Sequence, residues 1–373
     1  MRSVLLLLSC ALLMGAGRYE RNVETFSPYR HITMENPFLI LTFAPDQLGR
    51  LASVRVKENG TPLTGEFKLS RYTETPLFYL DSDNFHGIRE LFWRRSLSGI
   101  SPMKEEIRGK GKISFTSSGY GGSNVGLNRT VTLHPEGLWA VFESVLVNNG
   151  KSDEKIAVWL NLQGAPPAVP VIPVAGKGSV PQRGVMNLYH RPFLFNGAGG
   201  NSNLPGAAEW AGFTLPGRKV VWVVIAHGLS RGGYYYSWGN QDHRAPIRTV
   251  EPIFSETVVK PGSQSAPLCY TLAVFPGLEN INALCGAKGI EVVPQGGKAL
   301  IRICSALPVK QAEKLTLSLF DDKGKNILQM TGELPPGKAG TVVTFEEKCA
   351  GKAVSGRIQL GEMSAQIFFT KDK

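Results

Sequence analysis

The chain has 373 residues, 42% hydrophobic and 19% charged, with 41 Lys+Arg against 30 Asp+Glu for a formal charge of +11. That length accommodates two domains, or one large and one small. The composition excludes a disordered chain, and the low charged fraction excludes long solvated helices and coiled coils.

The N-terminus reads as a targeting signal. Arg2 supplies a positive start, Val4–Met14 is an apolar run broken by Ser9 and Cys10, and Gly15, Ala16 and Gly17 follow. This is the layout of a secretory signal, too short to span a bilayer. Residues 1–17 are therefore expected to be a signal peptide, with a secreted or periplasmic chain beginning near Arg18. The rival reading is a lipoprotein, with Leu7-Leu8-Ser9-Cys10 as lipobox and Cys10 acylated, but the apolar run before the cysteine is short for it. No later apolar stretch is long enough for a transmembrane segment.

Beyond the signal the pattern is β almost throughout. Phe38–Phe43, Leu51–Val56, Leu77–Leu80, Thr130–Leu133, Trp139–Val147, Ile156–Leu162, Val220–Ala226 and Tyr234–Trp238 are rich in β-branched and aromatic residues and bounded by Gly, Pro, Asn and Asp. Gly (42) and Pro (24) are too frequent for a helical bundle and suit many turns. Hairpin signals stand at Glu58-Asn59-Gly60, Asn148-Asn149-Gly150 and Asp321–Gly324. A short helix is expected only around Ala207–Ala211. Val220–Ile225 is apolar on both faces, which predicts stacked sheets whose middle strands are covered twice.

A break falls near residues 277–290, between Pro276-Gly277 and Gly286–Gly289. After it, short strands are expected at Ile290–Val293, Ala299–Cys304, Leu315–Phe320, Ile327–Met330, Thr341–Phe345, Ser355–Leu360 and Ala365–Thr370. That spacing fits an Ig-like β-sandwich over 286–373, without the tryptophan between cysteines of antibody domains. Four cysteines lie beyond the signal: Cys269, Cys285, Cys304 and Cys349. They permit two disulfides, with Cys304–Cys349 the preferred pair, or buried free thiols. No spacing suggests a metal site or cofactor. The dispersed positive charge serves solubility or a field that favours an anionic glycan. Nucleic acid is not expected as a partner, because no basic run is interleaved with aromatics.

Three stretches carry a family resemblance. They are Ile32–Phe43 with Leu48–Val54; Ala157-Val158-Trp159-Leu160-Asn161-Leu162-Gln163-Gly164; and Thr249-Val250-Glu251-Pro252 with Lys260-Pro261-Gly262 and Tyr270–Phe275. They resemble the first hairpin, the aromatic-Asn-Leu-x-Gly segment and the late Glu-bearing segment of the galactose mutarotase-like (aldose 1-epimerase) superfamily. The resemblance implies an all-β fold, with a large antiparallel β-supersandwich over 18–285 ahead of the small sandwich. Periplasmic glucan-biosynthesis proteins combine the same two architectures. In true mutarotases a histidine stands four residues before the motif's asparagine; here that position is Ala157.

Interconverting sugar anomers needs a base and an acid, roles that a tuned carboxylate and a histidine fill well. The resemblance and the apolar neighbours Val250, Pro252, Ile253 and Phe254 nominate Glu251 as base; its alternative role is a strand-end carboxylate paired with Arg248 or Arg244. His190 (beside Arg191) and His243 (beside Arg244) are the candidate acids or sugar contacts. In Tyr234–Arg244, Tyr234, Tyr236 and Trp238 share one face of a strand, and Asn240, Asp242 and Arg244 follow. Flat aromatic faces suit the C–H side of a pyranose, and the polar groups suit its hydroxyls. Arg89 and Trp93, in and after Asp81–Glu90, are further candidate sugar contacts; the Asp81–Asn84 start lacks the rest of a calcium loop. His227 reads as structural. The leading expectation is an exported carbohydrate-binding protein without full epimerase chemistry. The alternatives are an epimerase or glycan-active enzyme using Glu251 with His190 or His243, and a structural envelope protein.

Overall fold

The computed structural model describes residues 19–22, 30–58, 60–64, 87–92, 102–120, 123–164, 168–174, 184–187, 204–205, 210–215, 217–227, 234–240 and 247–369. Among them are twenty-eight strands, numbered in chain order, and no helix. Every ladder among them is antiparallel.

One nine-stranded sheet runs in space β1 (Tyr19–Asn22), β2 (His31–Glu35), β3 (Leu39–Ala44), β4 (Arg50–Val56), β5 (Gly87–Phe92), β11 (Val158–Gln163), β18 (Ile247–Ile253), β17 (Tyr234–Asn240), β14 (Leu204–Pro205). The second runs β13 (Gly184–Asn187), β12 (Val169–Val174), β15 (Trp210–Leu215), β16 (Val220–Ala226), β20 (Leu268–Pro276), β9 (Trp139–Asn148), β8 (Val125–Leu133), β7 (Lys112–Ser117), β6 (Lys104–Ile107). A separate pair joins β10 (Glu154–Ile156) to β19 (Thr257–Val259). The C-terminal residues form two four-stranded sheets. The first is β21 (Ala283–Cys285), β22 (Lys288–Gln295), β23 (Lys298–Ser305), β26 (Val342–Lys348). The second is β25 (Asn326–Leu334), β24 (Glu313–Phe320), β27 (Ser355–Leu360), β28 (Met363–Phe368).

The two large sheets face each other across one core. Alternation in β3 sends Leu39, Leu41 and Phe43 inward, where Phe43 meets Phe115 of β7 and Phe142 of β9 at ring separations of 5.2 and 6.5 Å. Each such side chain contributes roughly 1.5–3 kcal/mol by leaving water. β15 and β16 are buried at every position, as the two-faced apolar run requires. Two local expectations are corrected. Trp210 and Ala211 belong to strand β15, because all six residues of that strand find ladder partners in β16, which outweighs any local helical preference. The run Ile156–Leu162 is split at Ala157, where the chain leaves the β10–β19 ladder and enters the large sheet between β5 and β18.

The C-terminal sandwich has its own core, including Ile301, Leu317, Ile358 and Leu360. The division expected between residues 285 and 286 falls in the turn joining β21 to β22, strands that pair with each other. All four cysteines are free thiols, so the Cys304–Cys349 pairing is corrected. Cys304 sits opposite Val342 at one end of the β23–β26 ladder, whereas Cys349 follows the Lys298–Lys348 pair at the other. That is about 20 Å of strand, against roughly 7 Å or less between the Cα atoms of a disulfide. Burial pushes the Cys304 thiol up to about 12 and also raises Cys269 and Cys285. No described helix is long and apolar enough to cross a membrane.

Candidate functional site

The alternation of five neighbouring strands assigns each residue of the first large sheet to a face. In β5, Glu90 turns to Arg129 of β8 and Ser144 of β9, so Gly87, Arg89 and Leu91 take the opposite face of the sheet, which is itself covered where Leu91 joins the core. In β11, Leu160 and Leu162 lie in the core, and Trp159 and Asn161 take the opposite face, where Trp159 is partly buried and packed against the core cluster. In β4, Leu51 pairs with core-facing Ile88, which puts Arg50 outside beside Arg89. In β2, Ile32 and Met34 are core residues and His31 takes the other face.

The ladder registers then align these outer residues. Asn22 is opposite His31, Ala44 is opposite Arg50, and Arg89 is opposite Asn161. The β11–β18 register, fixed by Trp159 with Ile253 and Leu162 with Val250, sets the position of Glu251 against Asn161. Tyr236 is opposite Glu251 on the far side. One transverse row therefore carries His31, Arg50, Arg89, Asn161, Glu251 and Tyr236, with neighbouring strands about 4.8 Å apart. His31 (8% exposed), Arg50 (4%), Arg89 (8%) and Asn161 (4%) are all buried. Arg89 Nε donates to Asn161 Oδ1 at 3.3 Å, joining two strands within the row. A line of buried polar groups is costly unless it is hydrogen-bonded.

The row is braced from behind. Glu90 Oε1 and Oε2 accept from Arg129 Nε and Nη2, each at 3.0 Å, and Oε1 also accepts from the Ser144 hydroxyl at 2.7 Å. Arg129 Nη1 donates to the Gly49 carbonyl at 2.6 Å, and the Tyr120 hydroxyl donates to the Glu90 carbonyl at 2.6 Å. Burial by itself lowers the pKa of the Arg129 guanidinium; the adjacent Glu90 carboxylate reverses this and leaves it raised. Burial, then the Glu90 charge, pushes the Tyr270 phenol well up. β5 itself begins at Gly87, whose φ of +132° suits glycine and whose added Cβ would lie 2.1 Å from the Leu51 carbonyl oxygen. That close approach brings β4 against β5, and with it Arg50 against Arg89.

Of the residues nominated from the sequence, Arg89 is in the row. Glu251 occupies a row position, and Trp238 stands in the same β17–β18 ladder, opposite Thr249 and two residues along from the Tyr236–Glu251 pair. Asn240 ends that ladder opposite Ile247. Trp93, His190, Arg191, Asp242, His243 and Arg244 lie outside the described residues, as do residues 1–17, Leu77–Leu80 and the Asp81–His86 stretch. His227 Nε2 lies 3.1 Å from Thr271 Oγ1, a structural contact. His31 and Arg50 were not singled out by sequence reasoning, and Asn161 only within a motif. Their signal is that each holds the off-core position of an otherwise core-forming strand. Among the described residues no group of three His, Cys, Asp or Glu side chains is placed to hold a metal ion.

No family model matches the chain, and no curated protein matches it. Solved structures similar to it include a galactose mutarotase-like protein from Clostridium acetobutylicum (12% identity, TM-score 0.49, covering 70% of this chain and 99% of that one). A galactose mutarotase related enzyme from Lactobacillus acidophilus is similar at 9% identity and TM-score 0.47, over 67% of this chain and 99% of that one. A TPR-domain containing protein from Parabacteroides distasonis is similar at 16% identity and TM-score 0.46, over 65% of this chain; the match spans 46% of that longer protein.

Proposed function

We propose that this is an exported carbohydrate-binding protein whose saccharide lies on the outer face of the first large sheet, along β5, β11, β18 and β17. The observation that carries the reading is the buried, hydrogen-bonded pair of Arg89 and Asn161 on the face of the sheet opposite Glu90. A sugar ring presents hydroxyls that both donate and accept. Guanidinium donors and a carboxamide complement them, and Glu251, whose backbone position lies next along the row, is the candidate acceptor. Trp238, opposite Thr249 in the neighbouring ladder, is the candidate for the aromatic component that a pyranose favours.

Binding without full epimerase chemistry is the form of the proposal, because the position at which the resemblance expects a histidine is Ala157. Export rests on the layout of residues 1–17. The test is a glycan array with the purified protein, followed by titration of the best glycan into Arg89→Ala, Trp238→Ala and Glu251→Ala. Each variant is expected to weaken binding about tenfold or more while remaining folded by circular dichroism. Unchanged affinity in all three folded variants removes the site. Turnover of one anomer into the other by the wild type, lost in Glu251→Ala, would replace the binding reading with a catalytic one.

A further inference from the structure

We propose that the turn formed by residues 134–138 is a pH-sensitive latch: it holds the C-terminal sandwich against the large one, and protonation of His134 loosens it. The turn joins β8 to β9, and at its base the His134 amide donates to the Trp139 carbonyl at 2.9 Å. From the large sandwich, Asn36 Nδ2 donates to the carbonyls of His134 and Gly137 at 2.6 and 2.7 Å. From the C-terminal part, the Ala306 carbonyl accepts from the Leu138 amide at 2.7 Å. No side chain fits at the tip. A Cβ on Gly137 would lie 2.8 Å from Leu307, 2.9 Å from His134 Nδ1 and 3.1 Å from the Ala306 carbonyl oxygen. Gly137 is thus wedged between the histidine ring and the C-terminal sandwich, so the shape of the turn is felt at the docking contact.

The turn takes that shape from the neutral ring. His134 Nδ1 accepts from the Glu136 amide at 3.2 Å, which assigns the proton of the neutral imidazole to Nε2. A second proton can enter only at Nδ1, where it meets an N–H instead of an acceptor, and the bond is lost. The new charge is also poorly placed. Glu136 in the same turn favours it, but Lys310, from the residues after β23, disfavours it. Lys338 has the same sign as Lys310 and belongs to the turn whose Gly340 lies against Leu138. On the side of β2 and β3 the contact is made by neutral Asn36, and the adjacent Glu35 is already paired with Lys57 at 2.8 Å. Burial is the largest influence and, opposed by Glu136 and reinforced by Lys310, it holds the His134 pKa below the ordinary histidine value. The unfolded chain therefore takes up the proton first as the pH falls. Stability from this group is complete above about 6.5 and is lost as the pH drops through the lowered value of the folded protein.

Amide hydrogen exchange of the full-length protein, corrected for intrinsic rates and followed from about pH 7.5 to about pH 5, reads the latch at the Leu138 amide, which bridges the contact. Its protection is expected to fall about threefold or more over that range, while the ladder amides of β24 and β27 keep theirs. His134→Asn offers an Oδ1 in place of Nδ1 but binds no proton, and is expected to hold Leu138 protection constant across the range. Lys310→Gln, a change at an exposed side chain, removes one of the influences that lower the His134 pKa and is expected to move the loss to higher pH. This second variant keeps the proposal testable should His134→Asn fail to fold. Constant Leu138 protection in the wild type, an equal pH-dependent loss in folded His134→Asn, or an unmoved loss in Lys310→Gln overturns the latch. So does a loss shared by β24 and β27, which would mean acid unfolding of the whole C-terminal sandwich.

Discussion

Arg129→Leu is expected to lower the unfolding free energy by about 3–5 kcal/mol, among the largest effects of any single substitution in the chain. The Glu90 carboxylate is 1% exposed and takes both of its charged hydrogen bonds from this guanidinium; the leucine leaves it buried with only the Ser144 hydroxyl among these three contacts. Glu90→Leu is expected to cost a comparable amount for the mirror reason, since Arg129 is then buried without its counter-charge. The double variant Glu90→Leu/Arg129→Leu is expected to recover most of the loss, because well-packed apolar residues replace a buried ion pair at little cost. Urea unfolding of the four proteins gives the coupling directly. Single variants within about 1 kcal/mol of the wild type would mean that water reaches the pair and that the two sheets are not sealed there.

A chain ending at Cys285 is expected to lose cooperative unfolding and to aggregate, although the removed residues have a core of their own. The core of the large sandwich extends into the C-terminal part, with Cys304, Ala306 and Ala339 joining it and Val342 packed against it. The Leu138 amide donates to the Ala306 carbonyl at 2.7 Å. Phe275, wholly buried, packs so closely on Gly289 that a Cβ there would meet its ring at 2.8 Å. Exposing Leu138 and Phe275 alone costs roughly 1.5–3 kcal/mol each, a large share of the 5–15 kcal/mol typical of a whole domain. Calorimetry of the shortened chain checks this; a sharp transition near that of the full chain would show two independent units.

The fold was legible where the local pattern is dictated by burial. The runs around β3, β4, β9 and β16 announce themselves because apolar residues recur on one face, or on both where a strand is covered twice. The seven strands expected after residue 290 correspond to β22–β28 for the same reason. Trp210 and Ala211 misled because a strand pinned between two neighbours takes its conformation from them, and Ala157 because a change of ladder leaves no mark on hydrophobicity. The candidate row was hardest to read. Arg89 drew attention through its neighbours, but Arg50 looks like the polar edge of a turn and His31 like the start of a strand. What unites them is the register between strands tens of residues apart: β4 with β5, β5 with β11, and β11 with β18. That register is a long-range choice made by inter-sheet packing, including the Glu90–Arg129 pair, and no local spacing encodes it.

Amide hydrogen exchange, measured with and without the glycan selected by the array, locates the ligand without presupposing any side chain. Slowed exchange concentrated in β5, β11, β17 and β18 is the result expected from a saccharide seated on the outer face of the first sheet. Slowing confined to β6–β7 or to residues 286–373, with those four strands unchanged, would contradict it.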